Sequence, residues 1–269
     1  MGNIVLATQA LMGDASFSSG AFAGSGPPQN LIAREPSDAL ILTDLSNLWV
    51  EIDLGSAQSI NLIAGLYVSG TSALTWRVRG AASEADLTGS PGYDSTALAF
   101  GNGEAGLPHR KGYLHDWIWL GASPQTWRWW RIDFADAANP DNRLVVGKIV
   151  LDSAFQPSRN RAYGDTIGLV DPSVKPRTVT GRIDPLARPS YMAGDFSLSF
   201  GSEADLLGTA FTIDEKVGIT GQVLYLRNPD ATSRRQQQAI YGLQTQIGTI
   251  SQAALNIHEK KYSLEELVP

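Results

Sequence analysis

Cysteine is absent from all 269 residues. Disulfides, thiolate metal sites and a cysteine nucleophile are therefore excluded, although no redox compartment follows. Histidine is scarce, at three residues. His258-Glu259 begins like a zinc-protease motif, but Tyr262 stands where the second histidine belongs. His109 and His115 lie near Glu104 and Asp116, and three such groups can hold a metal. Polar residues on a surface loop are the plainer reading, so neither metal nor cofactor is expected. Basic stripes are missing too: net charge is −6 and pI about 5.1, which argues against a nucleic-acid partner. No apolar run approaches the ~18 residues of a membrane-spanning helix, so no membrane insertion is expected. The start, Met1-Gly-Asn-Ile-Val-Leu6, has no basic region, and Leu6 occupies the position where a myristoylation signal needs Ser or Thr. There is no G-x-S-x-G elbow and no P-loop; a Ser-His-Asp triad on another framework stays open.

What is present is a series of short apolar runs separated by Gly and Pro, the pattern of a strand-rich chain. Three of the seven tryptophans fall within Trp127-Arg-Trp-Trp-Arg-Ile-Asp-Phe134. An Asx-rich turn, Asp136 to Asn142, and a second strand, Leu144–Leu151, come after it. On a strand, Trp127, Trp129 and Arg131 share one face, and Arg128, Trp130 and Ile132 the other. Leu48–Leu54 alternates, with Trp49, Glu51 and Asp53 opposite the apolar face, and Gly55–Gln58 is expected to turn. Ile60–Val68 is apolar throughout and is expected to be buried on both faces. In Leu74–Gly80, Arg77 and Arg79 point away from Leu74, Trp76 and Val78. Ser83–Asp86 predicts one capped helical turn. With Trp117–Leu120, residues 48–151 give about six strands, a β-sandwich pattern.

Residues 11–30 are Gly- and Ser-rich, as in an arm laid over a sheet, and a boundary is expected at Ala154–Ser158. Beyond it, Arg177–Asp184 and Asp195–Phe200 are expected to pair as a long hairpin. Ser202–Asp205, closed by Gly208, predicts a short helix. Gly221–Arg227 and Ala253–Lys260 are strand-like, Ser263–Glu266 is expected to cap a last turn, and 232–247 is ambiguous. The expected fold is all-β with little helix: residues 1–155 a sandwich with an N-terminal arm, residues 156–269 a second β-rich domain.

Few motifs carry chemistry. Gly101-Asn-Gly-Glu-Ala-Gly106 matches G-x-G-x-x-G as letters, but Leu107-Pro108 comes next, where a dinucleotide site needs a helix. Asp94, Glu104 and Asp116 are candidate carboxylates for glycoside hydrolysis, without a feature separating them from turn acids. Asp136, Asn139, Asp141 and Asn142 offer oxygen ligands for Ca²⁺, yet turns use Asx residues anyway.

Taken as a set, Leu48-Trp-Val-Glu-Ile-Asp-Leu-Gly55, Trp76-Arg-Val-Arg79, Gly92-Tyr-Asp-Ser95, Trp129-Trp-Arg-Ile-Asp133, Asn139-Pro140 and Gly147-Lys-Ile149 resemble a discoidin-type, galactose-binding-like β-jelly-roll as found in bacteriophage tail-tip and baseplate proteins. The resemblance covers residues 11–155; the second half is similar to the strand-rich segment that those tail proteins carry after the jelly-roll. It implies a structural component of a long-tailed phage virion, present as a homo-oligomeric ring and docking other tail proteins, without catalysis. The alternative is a carbohydrate-binding module for host surface glycan; a glycan hydrolase is the least favoured reading. The Trp-rich strand is then framework, and contacts are expected in the loops around 86–95 and 101–116. The candidate glycan or partner contacts are Tyr93, His109, Arg110, Tyr113, His115 and Trp117.

Overall fold

The computed structural model describes residues 2–103 and 112–269. In chain order the strands are β1 (Val5–Ala7), β2 (Ser16–Ser19), β3 (Leu40–Leu42), β4 (Leu48–Ile60), β5 (Leu62–Ser69), β6 (Thr75–Ala81), β7 (Tyr93–Asp94), β8 (Leu98–Ala99) and β9 (Tyr113–Trp119). They continue as β10 (Gln125–Ala135), β11 (Leu144–Asp152), β12 (Thr166–Val170), β13 (Tyr191–Gly201), β14 (Gln222–Leu226), β15 (Ala239–Gln244), β16 (Ile250–Ala254) and β17 (Ile257–Glu266). Helix α1 (Asp86–Gly89) is one turn; a π-helical segment, Ala204–Ala210, runs directly into α2 (Phe211–Val217).

These elements make four layers. A front sheet, ordered β2-β4-β10-β6-β7 with β8 beside β6, faces a middle sheet, β3-β11-β5-β9. Between them lies the largest core, which includes Val50, Ile52, Trp76, Val78, Trp130, Ile132, Ile149 and Leu151. This is the expected β-sandwich, and the chain as a whole is all-β with little helix. A back sheet, β1-β14-β15-β17-β13-β12 with β16 on β17, covers the other side of the middle sheet. Leu62, Ala64, Leu66, Tyr67 and Val150 meet Leu224, Leu226 and Tyr241 there. The π/α helix packs on the outer side of the back sheet, through Leu206 and Ala210. β5 is buried on both faces because it belongs to the middle layer: Ile63 and Val68 point forward, Leu62 and Ala64 backward.

One irregularity fastens middle to back. The β5–β9 register shifts between Gly65 and Val68, with Tyr67 at φ 54°. The bulge turns the neighbours Leu66 and Tyr67 both to the back sheet. The Tyr67 hydroxyl then donates to the Leu267 carbonyl, with the Tyr241 carbonyl at 3.2 Å sharing the proton. Gly147 makes room for this, since a Cβ there would lie 2.6 Å from Tyr67 Cβ. Its neighbour Lys148 is fully buried and donates to the carbonyls of Asn30 (2.8 Å) and Asp38 (3.0 Å), tying the arm to β11; burial pushes its ammonium down to about 8.

The structure departs from several sequence expectations. β1 pairs with β14, Val5 opposite Leu226 and Ala7 opposite Leu224, so the first strand belongs to the back sheet and the division at residue 155 is crossed. The expected turn at 55–58 is a bulge inside β4, where pairing with β10 jumps from Gln58 to Asp53. That bulge brings Trp127 against the sandwich core, not onto the face of Trp129 and Arg131. The hairpin partner of β13 is β12; residues 177–184 form the tip of a separate ribbon, bridged at Arg177–Ile183. The helix continues past Gly208 because Leu206, Ala210, Ile213 and Val217 pack on the back sheet, outweighing about 1 kcal/mol of glycine cost. Ala253–Lys260 is broken by a turn at Asn256, φ 57°, and Ser263–Glu266 continues β17.

Candidate binding surfaces

The sequence-derived contact residues do not form one surface. Tyr93 on β7 is half-buried against Trp130, ring centroids 6.0 Å apart, and burial raises its phenol. His109 and Arg110 lie outside the described residues, as do Glu104 and most of the glycine-rich loop. Tyr113 is half-buried beside the middle–back core. His115 and Trp117 are corrections, being 0% and 2% exposed. The backbone of His115 exchanges two 2.7 Å bonds with the Gln236 side chain, and its ring meets Tyr67 edge-on at 4.5 Å. The Trp117 indole donates to the Pro229 carbonyl at 2.8 Å, under the Arg235 guanidinium. β9 alternates between the two cores, and its backward residues are covered by the chain's own loop after β14.

The Asx-rich turn is a clamp. Asp136 accepts from Thr71 N (2.9 Å), Thr71 Oγ1 (2.6 Å) and Asn139 Nδ2 (3.0 Å), and Asn139 Oδ1 accepts from Asp141 N. These donors engage the Asp136 carboxylate and the Asn139 side-chain oxygen. Among the described residues no cluster of His, Asp or Glu is arranged to hold a metal.

The outer face of the front sheet carries a network of arginine–carboxylate pairs. Register places Ser18, Glu51, Arg131, Arg79 and Asp94 in one cross-strand row. Trp129 lies opposite Asp53 on one side of that row, and Asp133 opposite Trp49 on the other. Arg131 donates to Glu51 (2.6 Å) and Asp133 (2.8 Å). Arg79 bonds Asp133 and the Leu87 carbonyl (2.7 Å). Arg128 grips Asp53 with two 2.7 Å bonds, and Arg77 holds Asp94. Four arginines thus match four carboxylates. The Arg131 guanidinium lies 4.4 Å from the Trp49 centroid, and that of Arg128 5.3 Å from Trp129. Both indoles are half-buried, so each is held beside its arginine and keeps part of its surface accessible.

Such a face can offer aromatic surface and charge-assisted hydrogen bonds in fixed positions. It is poorly suited to proton donation: hydrogen bonding from Arg77 holds Asp94 down at about 2, and Arg128 likewise lowers Asp53. Asp116 is the opposite case. Burial raises it to about 6, opposed by Arg235, but it sits in the middle sheet, away from Asp94 in the front sheet.

The back half presents a different surface. Among the described residues every exposed large apolar side chain except Phe22 and Leu98 falls between Tyr163 and Leu255. They concentrate on a ribbon between β12 and β13 and on a groove beside the π/α helix, lined by Leu207, Phe211, Ile247 and Ile250.

No protein-family model matches this chain, and no curated protein does. Among solved structures it is similar to CpGH89CBM32-6 of Clostridium perfringens, at 16% identity and TM-score 0.40, covering 54% of this chain and 98% of that one. It is also similar to the CBM32 of AlyQ in complex with 4,5-unsaturated mannuronic acid (18% identity, TM-score 0.38, 51% and 94% covered). A third is the lectin domain of Lectinolysin complexed with Lewis B antigen (14%, TM-score 0.40, 54% and 97%).

Proposed function

We propose that this chain is a non-catalytic glycan-recognition protein, and that the outer face of its front sheet makes the contact. The observation that carries this reading is the pair of half-buried indoles, Trp49 and Trp129, each held by an arginine that a carboxylate locks. Sugar rings stack their C–H faces on aromatic surface, and their hydroxyls pair with rigid guanidinium and carboxylate groups; ordering those groups in advance lowers the entropy cost of binding. A glycan array tests it, with Lewis B antigen and an unsaturated mannuronic acid among the probes. Wild type should bind at least one glycan class, and Trp129→Ala and Trp49→Ala should each weaken binding by roughly tenfold, about the free energy of one good aromatic contact. Binding that survives both substitutions unchanged, or no binding at all, would overturn the reading.

A second reading rests on a separate observation, the apolar side chains left exposed on the back half, since contiguous apolar surface marks a partner site. In it the chain is one component of a larger assembly, as the sequence resemblance to a long-tailed phage tail tip or baseplate implies. The mass of the native particle containing the chain tests this: a mass equal to one free copy would sink it. The two readings are compatible, one surface recognising glycan and the other docking the protein in its assembly.

A further inference from the structure

We infer that the ribbon of one copy docks into the helix-side groove of a second copy, an inference that rests on the assembly reading and names its partner. The ribbon, residues 171–189, carries bridges at Val174–Leu186 and Arg177–Ile183. Its tip turns at Thr178–Gly181, with Gly181 at φ 81°. Pro172, Pro176, Pro185 and Pro189 fix backbone torsions along both limbs, so the ribbon has little freedom to lose on docking. At about 3.3 Å per residue, each limb of about nine residues reaches roughly 30 Å from the sheet. Val179 is 108% exposed, and Val174, Ile183 and Leu186 are exposed beside it. Between these apolar residues stand Lys175, Arg177, Arg182 and Arg188 against Asp171 and Asp184, a net charge of 4 − 2 = +2.

The groove has the complementary character. It has a volume of about 540 Å³, with Leu207, Phe211, Ile247 and Ile250 supplying the apolar lining, Glu215 exposed beside them and Asp214 buried. Its helix, residues 203–217, carries Glu203, Asp205 and Glu215 against Lys216, a net charge of 1 − 3 = −2 once Asp214 is set against its partner Lys260. Asp214 is committed inward, to Lys260 and Gln244, whereas Glu215 is exposed. A chain of net charge −6 repels its own copies in general. A cationic apolar arm and an anionic apolar groove on the same chain offer one orientation in which it does not. Ribbon and groove are different patches, so the contact is head-to-tail and would either close into a ring or run on as a filament.

The absence of cysteine makes the test clean. Val179→Cys and Phe211→Cys proteins are mixed under mild oxidation, with Leu98→Cys replacing Phe211→Cys as the control for an exposed apolar site elsewhere. The mass of the wild-type chain and of Arg177→Glu/Arg182→Glu is followed by light scattering against concentration. The expected result is a disulfide-linked dimer from the Val179–Phe211 mixture only. Wild-type self-association should weaken by roughly tenfold or more in the double-charge variant. Self-association with equal cross-linking to Leu98→Cys would overturn the ribbon-in-groove contact and leave the assembly reading standing. A wild-type chain that stays monomeric at every concentration would also overturn it; the assembly reading then turns on the native-particle mass alone.

Discussion

Arg235 lies 4.1 Å from the centroid of the Trp117 indole while bonding the Trp117 carbonyl and, at 2.9 Å, the Asp116 carboxylate. One side chain of the back half thereby seals the edge strand of the middle sheet. Asp116 is 3% exposed, and the guanidinium supplies its counter-charge beside a hydrogen bond from Trp117 N at 2.9 Å. Arg235→Ala should therefore cost about 3–5 kcal/mol at neutral pH, as for a buried pair broken from one side. The penalty should shrink in acid, where Asp116 takes up a proton and no longer needs a counter-charge. Urea unfolding at two pH values measures both. A cost below about 1 kcal/mol would mean that the pair behaves as an exposed one.

Asp152, at the end of β11, accepts from Thr8 N at 2.6 Å and from Thr8 Oγ1. Desolvation nevertheless raises it to about 6 from 3.8. A carboxyl whose folded value lies above its unfolded one binds its proton more tightly in the native state. It therefore destabilises the fold as pH rises from about 4 through 6, by on the order of 3 kcal/mol. Asp152→Asn keeps an acceptor for Thr8 and removes that term. The variant should be flatter than wild type across this window and the more stable of the two above pH 6. Chemical denaturation across the window measures this, and two parallel pH profiles would remove the role assigned to Asp152.

Gly147 and Tyr67 make a steric prediction. With a Cβ only 2.6 Å from that of Tyr67, Gly147→Ala must push Tyr67 out of its bonds to the back sheet. Overpacking of this kind costs about 1–3 kcal/mol, or several degrees in Tm at about 2–4 °C per kcal/mol. Gly168→Ala is the control, since a Cβ there meets nothing within 4 Å; it should be close to neutral. Equal melting shifts in the two variants would mean that Gly147 is not needed for the Tyr67 contact.

Alternation carried the sequence reading where a strand has one wet and one dry face. β4, β6 and the later part of β10 follow their parity, and Trp130, Ile132 and Phe134 turn into the core as expected of framework. The same parity sent Glu51, Asp53, Arg77, Arg79 and Arg131 outward. Which acid meets which arginine is a matter of register between strands distant in sequence, such as Glu51 and Arg131, 80 positions apart, and single-strand periodicity holds no register. β5 shows a related limit. Its uniform apolarity implies two buried faces, but the cover on the second face comes from β1 and from residues 222–241, beyond the reach of any local pattern. His115 and Trp117 meet the same limit: polar and aromatic residues beside a loop resemble a contact site, but here a second layer of the chain lies on them.

β1 gives the sharpest test of how the two halves are joined. It fills the edge of the back sheet beside β14, and Leu6 also exchanges backbone bonds with Phe155 at 2.9 and 2.8 Å. Ile4, Val5 and Ala7 are fully buried and Leu6 is 1% exposed. Burying three large aliphatic side chains contributes about 5–9 kcal/mol, comparable to the whole stability of an ordinary domain. Deleting residues 2–8 should therefore unfold or aggregate the back half, because β14 becomes an open edge, while the sandwich core keeps its own contacts. Limited proteolysis should show rapid cleavage within 156–269 and a surviving fragment covering the front and middle sheets. A synthetic peptide of residues 2–9 added in trans should restore protection, since the strand docks by main-chain pairing and needs no covalent link to do so. Should the deleted protein resist protease over its full length, the back sheet is complete without β1 and the pairing with β14 is dispensable.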